Sequence, residues 1–198
     1  YIGEKSMKQY EIEIKLPVKN SQEVLDILKD IGFMVKKEIR EEDIYFNSDY
    51  HNIKERDEAL RIRKSRDCDT GDQKVQINFK GPKIDAVSMS RMELETEVQD
   101  GETMEKILTY LGFLPVASVC KVRKYLTHRE MTACVDRVEG LGEFLELEVV
   151  AETEEKREIY LEQMKEILNA LGYSMEDTVR TSYLGLLMKK KMQVAVHR

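Results

Sequence analysis

The sequence is poor in the residues that mark linkers, disulfide scaffolds and zinc sites. It has three prolines among 198 residues and no flexible linker, so a single domain is expected. Its three cysteines, Cys68, Cys120 and Cys134, are odd in number and lack CxxC spacing, which argues against a disulfide framework or a zinc knuckle. They are expected to be small packing residues in a reducing compartment.

Long apolar runs and nucleotide-binding loops are missing as well. No apolar stretch approaches the roughly 18 residues of a membrane-spanning helix, and the first residues lack a signal-peptide pattern. The Gly-x-x-x-x-Gly-Lys loop of the P-loop enzymes is absent. His51 and His128 fit no nucleophile or metal pattern. We therefore predict a cytoplasmic protein with no membrane partner and no P-loop mechanism.

An excess of basic charge is also absent. The chain has 38 acidic and 32 basic residues, which gives a net charge of −6. General nucleic-acid binding usually requires a basic domain, so no nucleic-acid partner is expected. The charged fraction of 35% is nevertheless high, compared with about a quarter in typical proteins. Basic side chains that do cluster should therefore serve a local purpose.

What the sequence has in abundance is a strict alternation of apolar and charged residues. In segment 10–16 the apolar side chains fall on even positions, and Glu11, Glu13 and Lys15 fall on odd ones. The same pattern recurs in segments 60–63, 74–80, 91–95, 121–123 and 145–149. A period of two is typical of strands with unlike faces. We predict a sheet that packs its apolar face under helices and curls its charged face around a charged ligand.

Three segments share one plan, in which an acidic strand precedes an amphipathic helix and then glycine with an aromatic residue. The predicted helices cover 21–31, 103–111 and 154–171. Ser21 is the expected N-cap of the first helix, and a glycine is expected at the C-terminus of each. With about eight strands, the fold class is α+β. The single domain is expected to cover 7–190, with 1–6 as a leader or cloning remnant and 191–198 as a tail.

The charged strand faces permit two arrangements. An open antiparallel sheet could expose its charged face to water. Repeated Glu-x-Glu, Arg-x-Arg and Lys-x-Arg pairs, with like charges about 7 Å apart on one face, favour a closed barrel with a charged lumen. Carboxylates hold Mg²⁺ together with water and substrate phosphates, and Arg and Lys bind phosphoryl oxygens. Such a lumen should bind a metal–polyphosphate complex, which does not by itself define a reaction.

These segments resemble the CYTH, or triphosphate tunnel metalloenzyme, superfamily. Glu11-x-Glu13-x-Lys15 is similar to its ExExK signature. Further similar motifs follow in the family's order at 43–46, 60–63, 79–82, 90–95, 121–123 and 140–148. The resemblance covers nearly the whole domain. It implies an eight-stranded antiparallel β-barrel, the triphosphate tunnel, with flanking α-helices.

Within the superfamily the chain looks most like the class IV adenylyl cyclase branch, whose members convert ATP to cyclic AMP and pyrophosphate with Mg²⁺ or Mn²⁺. The resemblance rests on segments 80–82, 90–95 and 180–184. Asn78-Phe79 stands where Thr-Tyr is frequent, and Gly185 replaces a frequent Glu. Other members hydrolyse thiamine triphosphate, inorganic tripolyphosphate or nucleoside triphosphates, so a triphosphatase is the alternative. A non-catalytic polyphosphate-binding module is a third reading, which the two Glu-x-Glu pairs disfavour.

The resemblance also implies roles for individual residues. The expected metal ligands are Glu11, Glu13, Glu146 and Glu148. The expected triphosphate-binding residues are Lys15, Arg61, Arg63, Lys74, Lys80, Arg91, Lys121, Arg123 and Arg180. Lys15 and Asp136 are the catalytic candidates, with ordinary strand-end polarity as the alternative for Asp136. Glu93 and Glu95 either contact metal or pair with basic residues. The expected partner is ATP or another triphosphate, and a homodimer is compatible with the resemblance.

Overall fold

The structure is a computed structural model that describes residues 10–83, 91–151 and 153–196. Within these ranges the side chains of 10, 11, 151, 154, 194 and 196 are not described. The expected leader at 1–6 and the first residue of motif 90–95 therefore lie outside the described residues. The expected metal ligand Glu11 is described only through its backbone.

Eight strands form one antiparallel sheet, as the alternating pattern predicts. They are β1 Tyr10–Pro17, β2 Met34–Asn47, β3 Ala59–Asp67, β4 Gln73–Lys80, β5 Glu93–Glu97, β6 Leu114–His128, β7 Met131–Val138 and β8 Gly142–Ala151. Their order in the sheet is β1-β8-β7-β6-β2-β3-β4-β5. The sheet therefore pairs the first strand with the last and places β2 beside β6 at its centre.

The ladder of hydrogen bonds remains open, whereas the sequence predicted a closed barrel. Within the described ranges the edge strands β1 and β5 do not pair with each other. Strand β5 has 5 residues and pairs along its length with β4. The charged face is nonetheless concave, because Lys15 of β1 and Lys121 of β6 lie 4.5 and 6.0 Å from the centre of one ring, that of Tyr183.

Four α-helices accompany the sheet in the described ranges, and three of them were predicted. They are α1 Ser21–Asp30, α2 Gly101–Tyr110, α3 Glu154–Ala170 and α4 Tyr183–Val196. The N-cap of α1 is Asn20, not Ser21, because the Asn20 side chain accepts hydrogen bonds from the backbone N–H groups of Gln22 and Glu23. The glycine that follows each of the first three helices has a positive φ, as a helix C-terminal glycine should. No helix in the described ranges is long and apolar enough to cross a membrane.

The apolar face of the sheet packs against the first three helices. Helices α1 and α3 cover β1, β7 and β8, where Ile12, Leu145 and Leu147 are fully buried with Leu28 and Met164. A second apolar cluster lies between α2 and strands β2, β3 and β4. Because successive side chains of a strand point to opposite faces, burial of this face against helices leaves the charged residues on the other, concave face.

Helix α4 closes part of the concave face with an apolar cluster. Tyr45, Val119, Val138 and Phe144 lie on strands β2, β6, β7 and β8 and pack with Tyr183 of α4. The Phe144 and Tyr183 rings meet edge to face with centroids 5.0 Å apart. The concave face thus consists of a charged region with an apolar cluster at one end.

Candidate active site

The strand register places most of the predicted site residues on the concave face. Directly opposed residues of antiparallel strands point to the same side of a sheet. The opposed pairs on this face are Glu13–Glu148, Lys15–Glu146, Asp136–Arg123, Glu41–Lys121 and Asp43–Arg63. Acidic and basic strands therefore meet across neighbouring positions of one continuous surface.

Lys15 lies between two carboxylates on strands β1 and β8. Its Nζ is 3.1 Å from Glu13 Oε1 and 2.9 Å from Glu146 Oε1. Burial alone would lower the pKa of Lys15, but the Glu13 and Glu146 carboxylates outweigh burial and raise it above its ordinary value. Lys15 is therefore held as a cation, which suits it to stabilise negative charge and not to accept a proton.

Arg123 connects three carboxylates. Its Nε and Nη2 lie 2.7 and 2.6 Å from the two oxygens of Asp136. Nη2 also donates to Glu146, and Nη1 lies 3.5 Å from Glu148 Oε1. Burial opposes the charge, but Asp136 and Glu146 raise the pKa of Arg123 well above its ordinary value. The guanidinium is permanently charged and joins the β7 and β8 carboxylates.

The two buried carboxyl groups beside Arg123 differ in their protonation behaviour. Burial would raise the pKa of Glu146, but Arg123 and Lys15 hold it well below its usual range. Burial and the nearby Glu146 carboxylate raise the pKa of Asp136 despite its contact with Arg123. The Tyr183 hydroxyl donates to Asp136 Oδ2 at 2.7 Å. Asp136 thus accepts hydrogen bonds from two protein side chains, those of Arg123 and Tyr183.

Asp43 of β2 joins three cations that the sequence assigned to phosphate binding. Its oxygens lie 2.6 Å from Arg63 Nε, 3.2 Å from Arg61 Nη1 and 3.5 Å from Lys121 Nζ. Burial opposes ionisation, but Arg61, Lys121 and Arg63 keep the pKa of Asp43 well below its usual range. The three basic side chains are therefore gathered around one buried carboxylate.

Glu41 is a second buried carboxylate of β2. Its Oε2 is 2.6 Å from Lys121 Nζ and 3.3 Å from Arg63 Nη2, and Tyr125 donates to Oε1 at 3.2 Å. Burial opposes ionisation, but Lys121, Arg63 and Arg123 lower the pKa of Glu41 to about 2. No site role was predicted for Glu41 or Asp43 from the sequence. Glu42, which lies between them and points to the other face, is acidic as well. The segment therefore shows no alternation of apolar and charged residues that would reveal its two faces.

Strands β4 and β5 carry further opposed pairs of the concave face. Lys80 contacts the Glu93 carboxylate, and the Asn78 side-chain amide donates to Glu95. Glu95 also accepts a hydrogen bond from Gln76 Nε2 at 2.9 Å. Glu93 and Glu95, left open by the sequence, thus pair with polar and basic side chains in this structure.

Two predicted triphosphate-binding residues, Lys74 and Arg91, make their described contacts outside the central cluster. Lys74 pairs with Glu97 at 2.7 Å, and both side chains are more than 60% exposed. Arg91 Nη1 lies 3.4 Å from the backbone oxygen of Gly81. Arg180 is exposed just before α4. The contacts described for Lys74 and Arg91 thus lie outside the central cluster, and a role of Arg180 in triphosphate binding stays a prediction.

The carboxylates of β1 and β8 suit a divalent cation in their chemistry. Glu13, Glu146 and Glu148 offer hard oxygen ligands on adjacent strands. In this arrangement Lys15 and Arg123 contact these carboxylates, and the described residues contain no group of three acidic, His or Cys side chains arranged to hold a metal. A cation at this wall must therefore exchange places with Lys15 or Arg123.

Comparison with known proteins gives one consistent family. The profile of the CYTH domain matches residues 9–183. A Methanocaldococcus jannaschii protein that is provisionally named an adenylate cyclase is 40% identical over 176 residues, which cover 89% of this chain and 97% of that protein. The sequence similarity thus extends over nearly the whole chain.

Solved structures share the same fold. The PH1819 protein of Pyrococcus horikoshii superposes with a TM-score of 0.82 at 34% identity, covering 91% of this chain and 99% of that chain. A Hippeastrum protein that is provisionally named an adenylyl cyclase, and has a dominant triphosphatase activity, superposes with a TM-score of 0.66 at 18% identity, covering 92% of this chain and 96% of that chain. At that identity the second likeness shows the fold alone.

Proposed function

The chain belongs to the CYTH domain family, and from this premise we propose that it is a metal-dependent enzyme that converts ATP to cyclic AMP and pyrophosphate. Enzymes of the family act on triphosphates and depend on a metal. Assigning ATP, Mg²⁺ or Mn²⁺, and the cyclase reaction to this chain is our proposal. It is supported by the 40% identical relative with a provisional adenylate cyclase name.

One observation carries the proposal: five buried cations and the carboxylates that neutralise them share the concave face. The cations are Lys15, Arg61, Arg63, Lys121 and Arg123, none with a side chain more than 13% exposed. Buried charges are retained only when they are paired. A metal–triphosphate complex can replace both kinds of partner at once, because its phosphates take the cations and its metal takes the carboxylates.

Each group of side chains then has a defined task. Arg61, Arg63 and Lys121 bind non-bridging phosphate oxygens, for which the guanidinium fork supplies paired donors. A divalent cation held by Glu13, Glu146 and Glu148 would neutralise charge on the phosphates and the attacking oxygen.

The residues beside the carboxylate wall support this binding. Lys15, which is kept protonated, stabilises negative charge that develops on the phosphate oxygens. Asp136 holds the Arg123 guanidinium in place and is therefore a positioning residue in our proposal. The bound triphosphate thereby meets cations that already lie on the same face, and Asp136 keeps Arg123 there when its contacts with Glu146 and Glu148 are exchanged for phosphate oxygens.

Triphosphate hydrolysis is the second candidate reaction. The Hippeastrum protein of the same fold has a dominant triphosphatase activity. The same cations and carboxylates can serve both reactions. The outcome depends on whether the ribose 3′-hydroxyl meets the α-phosphorus or water meets a terminal phosphorus.

Thermal unfolding with tripolyphosphate tests the binding part of the proposal. At a concentration of 100 times its dissociation constant, a ligand of the folded state stabilises by about 2.7 kcal/mol. We expect Arg63→Met to remove most of this stabilisation. Arg137→Met is the matched control, because Arg137 lies on β7 with its side chain 74% exposed. An absence of stabilisation in the unaltered protein would contradict the proposal and favour a charged surface without a triphosphate site.

A further inference from the structure

We propose that Asn78 accepts a hydrogen bond from a hydroxyl group of the substrate's organic part, and thereby makes the site prefer nucleoside triphosphates to bare tripolyphosphate. This inference rests on the proposed function and narrows its substrate class. It concerns a wall of the site, formed by β3, β4 and β5, to which the sequence analysis assigned no specificity role.

The orientation of the Asn78 amide follows from its partner. Asn78 lies on β4 with only 2% of the residue exposed, and its Nδ2 donates to the Glu95 carboxylate. A carboxylate only accepts, so the NH₂ group must face Glu95 and the oxygen must point elsewhere. Among the described residues, no donor reaches this buried Oδ1. A buried acceptor without a partner is costly, and a ligand that supplies a donor relieves that cost.

A matching unused donor lies on the facing residue. Arg61 of β3 is directly opposite Asn78 in the register. Its Nη1 donates to Asp43 at 3.2 Å and to the Tyr45 hydroxyl at 3.3 Å. Its buried Nε finds no acceptor in the described part of the chain. One acceptor and one donor are therefore left over on adjacent strands, and a single hydroxyl group can satisfy both.

The chemistry of the ligand decides which hydroxyl fits. Ionised triphosphate oxygens only accept hydrogen bonds, so they can use Arg61 but cannot donate to Asn78. The ribose of a nucleoside triphosphate carries free hydroxyls. The facing pair therefore favours a nucleotide over bare tripolyphosphate.

Strand β4 also provides a matched control. Gln76 lies two residues from Asn78 on the same face and donates to the same Glu95 carboxylate at 2.9 Å. Its side-chain oxygen is not among the buried atoms without a partner. Gln76→Leu thus removes a similar amide and its hydrogen bond to Glu95. Unlike Asn78→Leu, it does not remove a buried oxygen that lacks a hydrogen-bond donor.

Titration calorimetry in EDTA, which prevents metal-dependent turnover, separates these roles with ATP and tripolyphosphate as probes. We expect Asn78→Leu to weaken ATP binding about tenfold, and to change tripolyphosphate binding by less than about threefold. Gln76→Leu should affect the two ligands alike. Asn78→Thr, which keeps an oxygen acceptor, should retain most of the ATP affinity. Equal effects of Asn78→Leu on both ligands would overturn the proposal.

Deoxynucleotides give an independent test in the unaltered protein. We expect either 2′-deoxy-ATP or 3′-deoxy-ATP to bind about tenfold more weakly than ATP. Unchanged affinity for both analogues would overturn the proposal, even if Asn78→Leu fails to fold, and would fit a water molecule between Asn78 and Arg61. If neither ATP nor tripolyphosphate binds the unaltered protein, the proposed function itself fails.

Discussion

Arg123 and Asp136 form a two-point ion pair across strands β6 and β7, with N–O distances of 2.7 and 2.6 Å. Asp136 is fully buried, and Tyr183 donates to the same carboxylate from α4. The pair fixes the plane of the guanidinium, because both contacts must be made at once. Helix α4, through one hydroxyl, thereby helps to set the position of a cation in the candidate site.

Removal of Asp136 should be strongly destabilising. Asp136→Ala leaves the buried Arg123 without its main partner, and breaking a buried pair costs about 3–5 kcal/mol. Denaturant unfolding measures the loss. The control is Glu38→Ala, which breaks a partly exposed ion pair between Glu38 of β2 and Lys124 of β6, with an N–O distance of 2.8 Å. Loss of this pair should cost about 0–1 kcal/mol. Equal losses in the two variants would show that Asp136 does not support Arg123.

Glu41 should make stability depend on pH below its ordinary pKa. Its pKa is lowered from 4.5 to about 2 in the folded protein, so its contribution is present above pH 4.5 and is lost as the pH falls from 4.5 towards 2. The two values imply about 3 kcal/mol over this range. The unfolding free energy, measured at about pH 6, 4 and 3, should fall less steeply with decreasing pH in Glu41→Gln than in the unaltered protein. An unchanged slope in the variant would refute this assignment.

Metal and triphosphate should strengthen each other's binding. Mn²⁺ alone must compete with Lys15 and Arg123 for the β1 and β8 carboxylates, whereas a bound triphosphate draws those cations away. Electron paramagnetic resonance of free Mn²⁺, corrected for its complex with tripolyphosphate in solution, should show coupling of at least about fivefold.

The variant Lys15→Gln should bind Mn²⁺ alone more tightly and show less coupling, because it removes the ammonium group that contacts Glu13 and Glu146. Lys29→Gln is the control, since Lys29 pairs only with Asp26 among the described residues, on the exposed surface of α1. Tight binding of Mn²⁺ by the unaltered protein without tripolyphosphate would contradict this account.

Glu13 should be needed for metal-dependent turnover. Glu13→Ala removes one carboxylate of the β1–β8 wall without removing any of the phosphate-binding cations. We expect turnover to fall by about 100-fold or more, while binding of tripolyphosphate in EDTA survives. Glu23→Ala on the exposed face of α1 should have no effect. Unchanged turnover in Glu13→Ala would show that the proposed ligand set is wrong.

Much of the fold could be predicted because alternation fixes which face a strand residue occupies. Lys15, Arg63 and Glu146 lie on the concave face for that reason. Alternation does not show whether a residue lies near the middle or the end of its strand. Lys74 lies near the start of β4, and its side chain is exposed for that reason. The sequence also could not show that Asp43 meets Lys121, since these residues are 78 positions apart and the contact depends on how β2 pairs with β6.

Helix α4 and the open ladder were harder to anticipate. No site role was predicted for Tyr183 from the sequence, and its ring packs against Phe144. The hydroxyl contact with Asp136 could not be foreseen, because it depends on where α4 docks. Closure of the barrel was expected from the like-charge pairs and from the family resemblance, but β1 and β5 do not pair with each other within the described ranges. Alternation fixes the face of each strand and does not fix which edge strands meet.

The most direct test of the account is to incubate the purified protein with ATP and Mg²⁺ or Mn²⁺ and to identify the products by chromatography. Cyclic AMP and pyrophosphate, formed only with metal, are the predicted result. ADP with phosphate, or cleavage of tripolyphosphate without ATP turnover, would move the reaction to hydrolysis at the same site. No metal-dependent turnover of ATP, thiamine triphosphate or tripolyphosphate would contradict the claim that this concave face is the active site of a triphosphate enzyme.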